Sequence, residues 1–197
     1  MKKQLSLLAL AIGLAGCASY ESQPLSNLTL ETVLPSQKKG EIVAVAKTFD
    51  KSECKRYLDR DVIAQGYQPV QLFIQNDTDK NYIFSLNRMS LPFARSEEVA
   101  DKVHTSTVGR AVGYGAAALV IWPFAIPAIV DGVKSAQAND NLDVDFSMKT
   151  ARDQTIAPHS YLNKIVFVPS GQYQSQFTVT LIDQQTNEPK ILNLSAN

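Results

Sequence analysis

Hydrophobic and polar positions alternate in several short stretches of the chain. Ile42-Val43-Ala44-Val45-Ala46 is a compact apolar run, the pattern of a short strand. Tyr67 to Gln75 alternates, with Val70, Leu72 and Ile74 on one face and Gln71 and Gln75 on the other. Asn76-Asp77-Thr78-Asp79 is a turn cluster, and the strand pattern resumes through Tyr82 and Phe84, as in a hairpin. Residues 50–66 are charged and irregular, with a helical turn opened by Asp50 or Ser52. In the last third, Lys164 to Val168 is bounded by Pro169 and Gly171, and Gln176 to Asp183 alternates again. There Phe177, Val179 and Leu181 point inward, and Thr178 and Thr180 outward. Residues 184–189 turn the chain, and Ile191-Leu192-Asn193-Leu194 closes it.

These runs predict an antiparallel sandwich built from 41–49, 67–76, 80–92 and 164–195, with about six or seven strands. The inward residues are expected to be Val70, Leu72, Ile74, Phe84, Phe167, Phe177, Val179 and Leu181. The layout resembles small immunoglobulin-like sandwich domains common in envelope lipoproteins. That resemblance is architectural and implies no activity. The expected fold class is α+β, mainly β: an antiparallel immunoglobulin-like β-sandwich with an apolar helical hairpin inserted at about 96–152.

Between the strand regions the pattern changes. Ser96-Glu97-Glu98-Val99 has the acidic first turn of a helix. Between Arg110 and Asp131 lie 20 uncharged residues, long enough by count to cross a bilayer. Pro123 and Pro127 break a continuous helical ladder, and Gly113 and Gly115 with several alanines dilute the hydrophobicity. A hairpin suits these residues better than a span. Its first arm runs from about Ser96 to Ile121, its turn falls at residues 122–126, and Pro127 opens a second arm to about Ala151. Gly109, Gly113 and Ala117 recur every fourth residue, as do Ala128, Gly132 and Ala136, so each set makes a side-chain-poor stripe on one helix face. The tip carries Leu119, Val120, Ile121, Trp122, Phe124, Ile126, Ile129 and Val130. A patch of that kind needs burial, on the sandwich itself or by entering lipid or a partner groove.

The N-terminus carries an address. Lys2 and Lys3 precede the short apolar stretch Leu5 to Leu14, which is too short for a stable span. Leu14-Ala15-Gly16-Cys17 follows directly. This motif resembles the lipobox of bacterial lipoproteins, over the first 17 residues only. The resemblance implies diacylation of the Cys17 thiol, cleavage before it and acylation of the new amine. Acyl chains at roughly 0.8 kcal/mol per buried methylene make such anchoring effectively permanent. Ala18, where an Asp commonly retains such proteins in the inner membrane, implies sorting to the outer membrane, with the periplasmic and surface faces both open. Residues 1–16 are then a signal peptide and 17–40 the lipidated Cys with a flexible tether. Residues 41–197 form the domain. The tether is rich in Ser, Gln and Asn, and about 23 flexible residues span roughly 25 Å.

Composition narrows the function. Lys+Arg and Asp+Glu are 19 each, so the formal charge is zero and no basic run argues for nucleic acid. Two cysteines exclude a disulfide-rich scaffold. Cys54 is either a small buried residue or a reactive or intermolecular thiol. His104 and His159 stand beside hydroxyl residues, but nothing in the spacing promises a nucleophile, base and acid in one place. Asn139, Asn141, Asp143 and Asp145 alternate as in a calcium loop, yet the central Gly is missing and Thr150 stands where the closing Glu belongs. A solvated helix face accounts for them better, so neither metal nor cofactor is expected. The reading is a non-catalytic, lipid-anchored envelope protein whose partners are the membrane, through Cys17, and another envelope protein. A membrane-active or secretion-apparatus component using the hairpin tip is the alternative, and an envelope enzyme the second.

Overall fold

The computed structural model describes residues 19–28, 41–105 and 125–196, with only the backbone of 125–135. The chain falls into two units. The larger comprises Ser22–Val103 and Asp145–Asn197, and the smaller Met1–Glu21 and His104–Val144.

The larger unit is α+β and carries two antiparallel sheets. The first has the order β1 (Ile42–Thr48), β2 (Tyr67–Asn76), β5 (Ser160–Pro169). The second runs β4 (Gln154–Ile156), β3 (Tyr82–Phe84), β6 (Gln176–Asp183), β7 (Pro189–Ser195). One hydrophobic cluster draws on both sheets. Val70, Leu72 and Ile74 of β2 share it with Phe84, Phe177, Val179 and Leu181, as the alternation predicts. Phe167 departs from expectation. The register sets Pro69 opposite Phe167 and Val70 opposite Val166, so Phe167 points to the other face of its sheet. There its ring stacks on Phe146 at 5.5 Å.

That other face is covered as well. Helix α1 (Lys51–Leu58) follows β1, and its N-cap Asp50 accepts from the Glu53 amide while the Glu53 carboxylate accepts from the Asp50 amide. This capping box lengthens the expected single turn into eight residues. Tyr57 and Leu58 of α1 are buried, and the Tyr57 ring packs at a tilt against Phe49, 5.3 Å between centroids. Helix α2 (Ser96–Val103) buries Val99, Ala100 and Val103, and Arg60 Nε closes its C-terminus by donating to the Val103 carbonyl at 3.2 Å. The final turn of helix α3 (Ala125–Lys149) supplies Phe146.

Both edges of the first sheet are attended to. The Ala94 and Ala151 amides donate to the Phe167 and Ile165 carbonyls of β5, each at 2.8 Å. Ala46 of β1 forms a parallel bridge with Ala196, just beyond β7. Backbone groups that would template aggregation are thereby paired. Asn76, fully buried at the end of β2, reaches the Lys80, Ile156 and Ala157 carbonyls and accepts from Thr78. It joins the 77–80 turn to β4.

Two expectations change. The strand expected over 80–92 is only Tyr82–Phe84, followed by a 3-10 turn at Leu86–Arg88 and one bridge from Met89 to Val179. Of the first hairpin arm, expected to be helical from about Ser96 to Ile121, Ser96–Val103 is helical, 104 and 105 are not, and 106–121 lie outside the described residues. In the smaller unit, the Asn139 side chain accepts from the Thr105 amide at 2.9 Å and donates to its carbonyl at 3.3 Å. Those bonds occupy backbone groups a continuing helix would use. Among the described residues there is no long apolar hairpin, and no helix is long and apolar enough to cross a membrane.

Candidate functional site

The densest polar constellation of the larger unit gathers around Lys149, at the C-terminal end of α3. Asp145 and Lys149 are four apart and so share a helix face. Lys149 is 9 % exposed. Its Nζ donates to the Tyr57 carbonyl at 2.6 Å, Asp145 Oδ2 at 2.7 Å and Ser22 Oγ at 2.8 Å. Ser22 Oγ in turn donates to Asp145 Oδ2 at 2.8 Å. All three ammonium hydrogens therefore have acceptors. Lys149 Nζ is engaged on three sides, and Ser22 Oγ is itself committed to Asp145. The chemistry of this trio is that of a clamp, which fixes Ser22 to the end of α3.

Further bonds hold the residues after Ser22. The Gln23 amide donates to the Arg56 carbonyl at 2.9 Å. The Ser26 carbonyl accepts from Gln71 Nε2 at 2.7 Å and Asn163 Nδ2 at 3.3 Å, and Asn163 also reaches Asn27 Oδ1 at 3.1 Å. Tyr57 donates to Ser26 Oγ. Residues 22–27, expected to be flexible tether, are instead a strap laid on the first sheet. Gln71, expected on a solvated face, is 1 % exposed beneath it. The buried Gln71 carboxamide creates the demand for a partner, and the Ser26 carbonyl of the strap meets it.

A cleft of about 450 Å³ runs beside the strap, with Pro24 and Leu25 on one side and Met148, Tyr161 and Lys164 on the other. Tyr161 stacks on Phe73 at 5.5 Å and is 59 % exposed; Met148 is 60 % exposed. Lys164 Nζ donates to the Met148 carbonyl at 2.5 Å, closing the helix end. A second cleft, about 610 Å³, lies along β6 and β7 beside Ser90.

The sequence-predicted positions fall elsewhere. Cys17, the tip residues Leu119, Val120, Ile121, Trp122 and Phe124, and the stripe residues Gly109, Gly113 and Ala117 lie outside the described residues. Ile126, Ala128, Ile129, Val130 and Gly132 lie in α3, where only backbone is described, and Ala136 is exposed on the same helix. His104 Nε2 meets Asp143 at 2.6 Å, and the exposed His159 meets Asp79 at 3.0 Å. Asn139, Asn141, Asp143 and Asp145 stand on a helix rather than a loop. No group of three or more His, Cys, Asp or Glu able to hold a metal occurs among the described residues. Cys54 is fully buried in α1, and burial, followed by the charges of Asp61, Asp50 and Glu53, pushes its thiol up to about 12. Such a group stays protonated and packs as a small apolar side chain. The Asp145–Lys149 spacing was the one signal of the clamp legible beforehand. Ser22 is 127 residues from Lys149, and no local pattern links them.

Comparison with protein-family models, curated proteins and solved structures yields no match.

Proposed function

We propose that this chain is a lipid-anchored protein of the bacterial outer membrane that works by contact with envelope partners. The observation that carries the reading is the run Leu14-Ala15-Gly16-Cys17 after a basic start and a short apolar stretch, with Ala18 behind it. The fold is in keeping with a display module. Its strand order, β1-β2-β5 and β4-β3-β6-β7, supports reading it as an immunoglobulin-like sandwich, with β3, β6 and β7 in the places of strands C, F and G. In that reading β4 is the extra strand beside C. The polar groups around Lys149 are consumed in fixing the strap, which leaves the surface to carry recognition. Membrane attachment is through acyl chains on Cys17, and nucleic acid is not among the partners.

Labelled palmitate fed to cells tests the anchor. The wild type should incorporate label and sediment with membranes, and Cys17→Ser should do neither. A Cys17→Ser variant that still takes up label would refute the reading.

A further inference from the structure

A lipid anchor on Cys17 and a strap that begins at Ser22 together determine which face of the domain meets the bilayer. Ser22, at the start of the strap, is clamped to the larger unit through Lys149 and Asp145. Only residues 18–21 separate it from Cys17. Five residue steps, at no more than about 3.6 Å each, reach at most about 18 Å. A free tether ending at Gly40 would reach several times further and would leave the orientation open. The short leash removes that freedom.

We infer that the face carrying the strap cleft, with Pro24, Met148 and Tyr161, is a lipid-contacting surface that rests on the membrane interface. The inference depends on the anchor proposed above. Ser22 and Pro24 line the same cleft as Met148 and Tyr161, so the leash delivers those side chains with them. Their chemistry suits the headgroup region. Tyr161 presents a flat apolar body with a hydroxyl at its end, and Met148 is flexible and apolar. Lys164, lining the same cleft, supplies a cation toward acidic headgroups. The opposite surface has neither the leash nor this grouping. Ile191 on β7 lies in register with Thr180, on the side of the second sheet turned away from the shared core. It therefore stands beyond that core from the strap, with sheet-to-sheet spacing of about 10 Å in between.

Spin labels on the full acylated chain test this, placed singly by Met148→Cys, Tyr161→Cys or Ile191→Cys. The buried Cys54 thiol takes no label in the folded protein. The chains are reconstituted in vesicles of phosphatidylethanolamine and phosphatidylglycerol. The readout is the ratio of collisions with oxygen, which concentrates in lipid, to collisions with a water-soluble nickel chelate. The ratio should rise severalfold on reconstitution at 148 and 161 and stay unchanged at 191. Inserting a long Gly/Ser run between Ala18 and Ser19 should abolish the rise while the chain stays acylated and vesicle-bound. An acylated chain with equal ratios at the three positions, or with the highest at 191, overturns the orientation alone. A chain whose mass lacks acyl groups overturns the anchor and the orientation with it.

Discussion

The two sheets of the larger unit are built from similar sequence patterns and meet different fates. In β6 the inward residues Phe177, Val179 and Leu181 are buried, while Thr178 and Thr180 stay partly exposed. In β2 the inward residues Val70, Leu72 and Ile74 are buried too, but so are Gln71 and Phe73 on the opposite face. The second sheet has one covered face and the first has two. Alternation reports that one face is apolar; it does not report whether something remote covers the polar one. A glutamine inside an apolar strand is solvated in one setting and a buried hydrogen-bonding anchor in the other.

The sharpest break in this comparison uses outward-facing apolar residues on the two sheets. Phe167→Ala should cost about 3–5 kcal/mol, because it opens a cavity against Phe146. Ile191→Ala, at a site 60 % exposed, should cost within about 0.5 kcal/mol. Denaturant unfolding measures both. Similar losses at the two sites would mean that the faces are not covered as described.

A smaller effect lies in the turn of the second sheet. Asp183 accepts from Lys80 at 2.6 Å and from the Gln185 and Thr186 amides, and Lys80 first, then these amides, lowers its carboxyl to about 2. A carboxyl lowered on folding stabilises the protein above its ordinary range, and the benefit disappears as pH falls through about 2. Asp183→Asn should therefore lower the melting temperature near neutrality, with the gap from wild type closing as the solution is acidified. A gap independent of pH would contradict the pairing.

Much of the fold was legible where the determinants are local. The β6 alternation and the start of α2 at Ser96 follow from residues close in sequence. Phe167 was assigned to the wrong face because the run Ile165 to Val168 is apolar at every position, and a continuous run carries no phase. β4 went unseen because Gln154–Ile156 is three residues long and is held by β3, not by its own pattern. The strap went unseen for a deeper reason. Polar, proline-containing sequence reads as tether wherever no partner is in view, and the partners of Ser22 and Ser26 are Asp145, Lys149, Gln71 and Asn163. Satisfying the buried Gln71 carboxamide is a tertiary requirement, and it shows only once β2 and β5 are paired.

The strap's attachment to the domain is most directly measured by hydrogen exchange at the Gln23 amide, which donates to the Arg56 carbonyl. In the wild type it should exchange far more slowly than in an unstructured peptide. Lys149→Met, which removes the ammonium that Ser22 and Asp145 share, should speed its exchange while the β6 amides stay protected. A wild-type Gln23 amide already exchanging at the peptide rate would contradict the account.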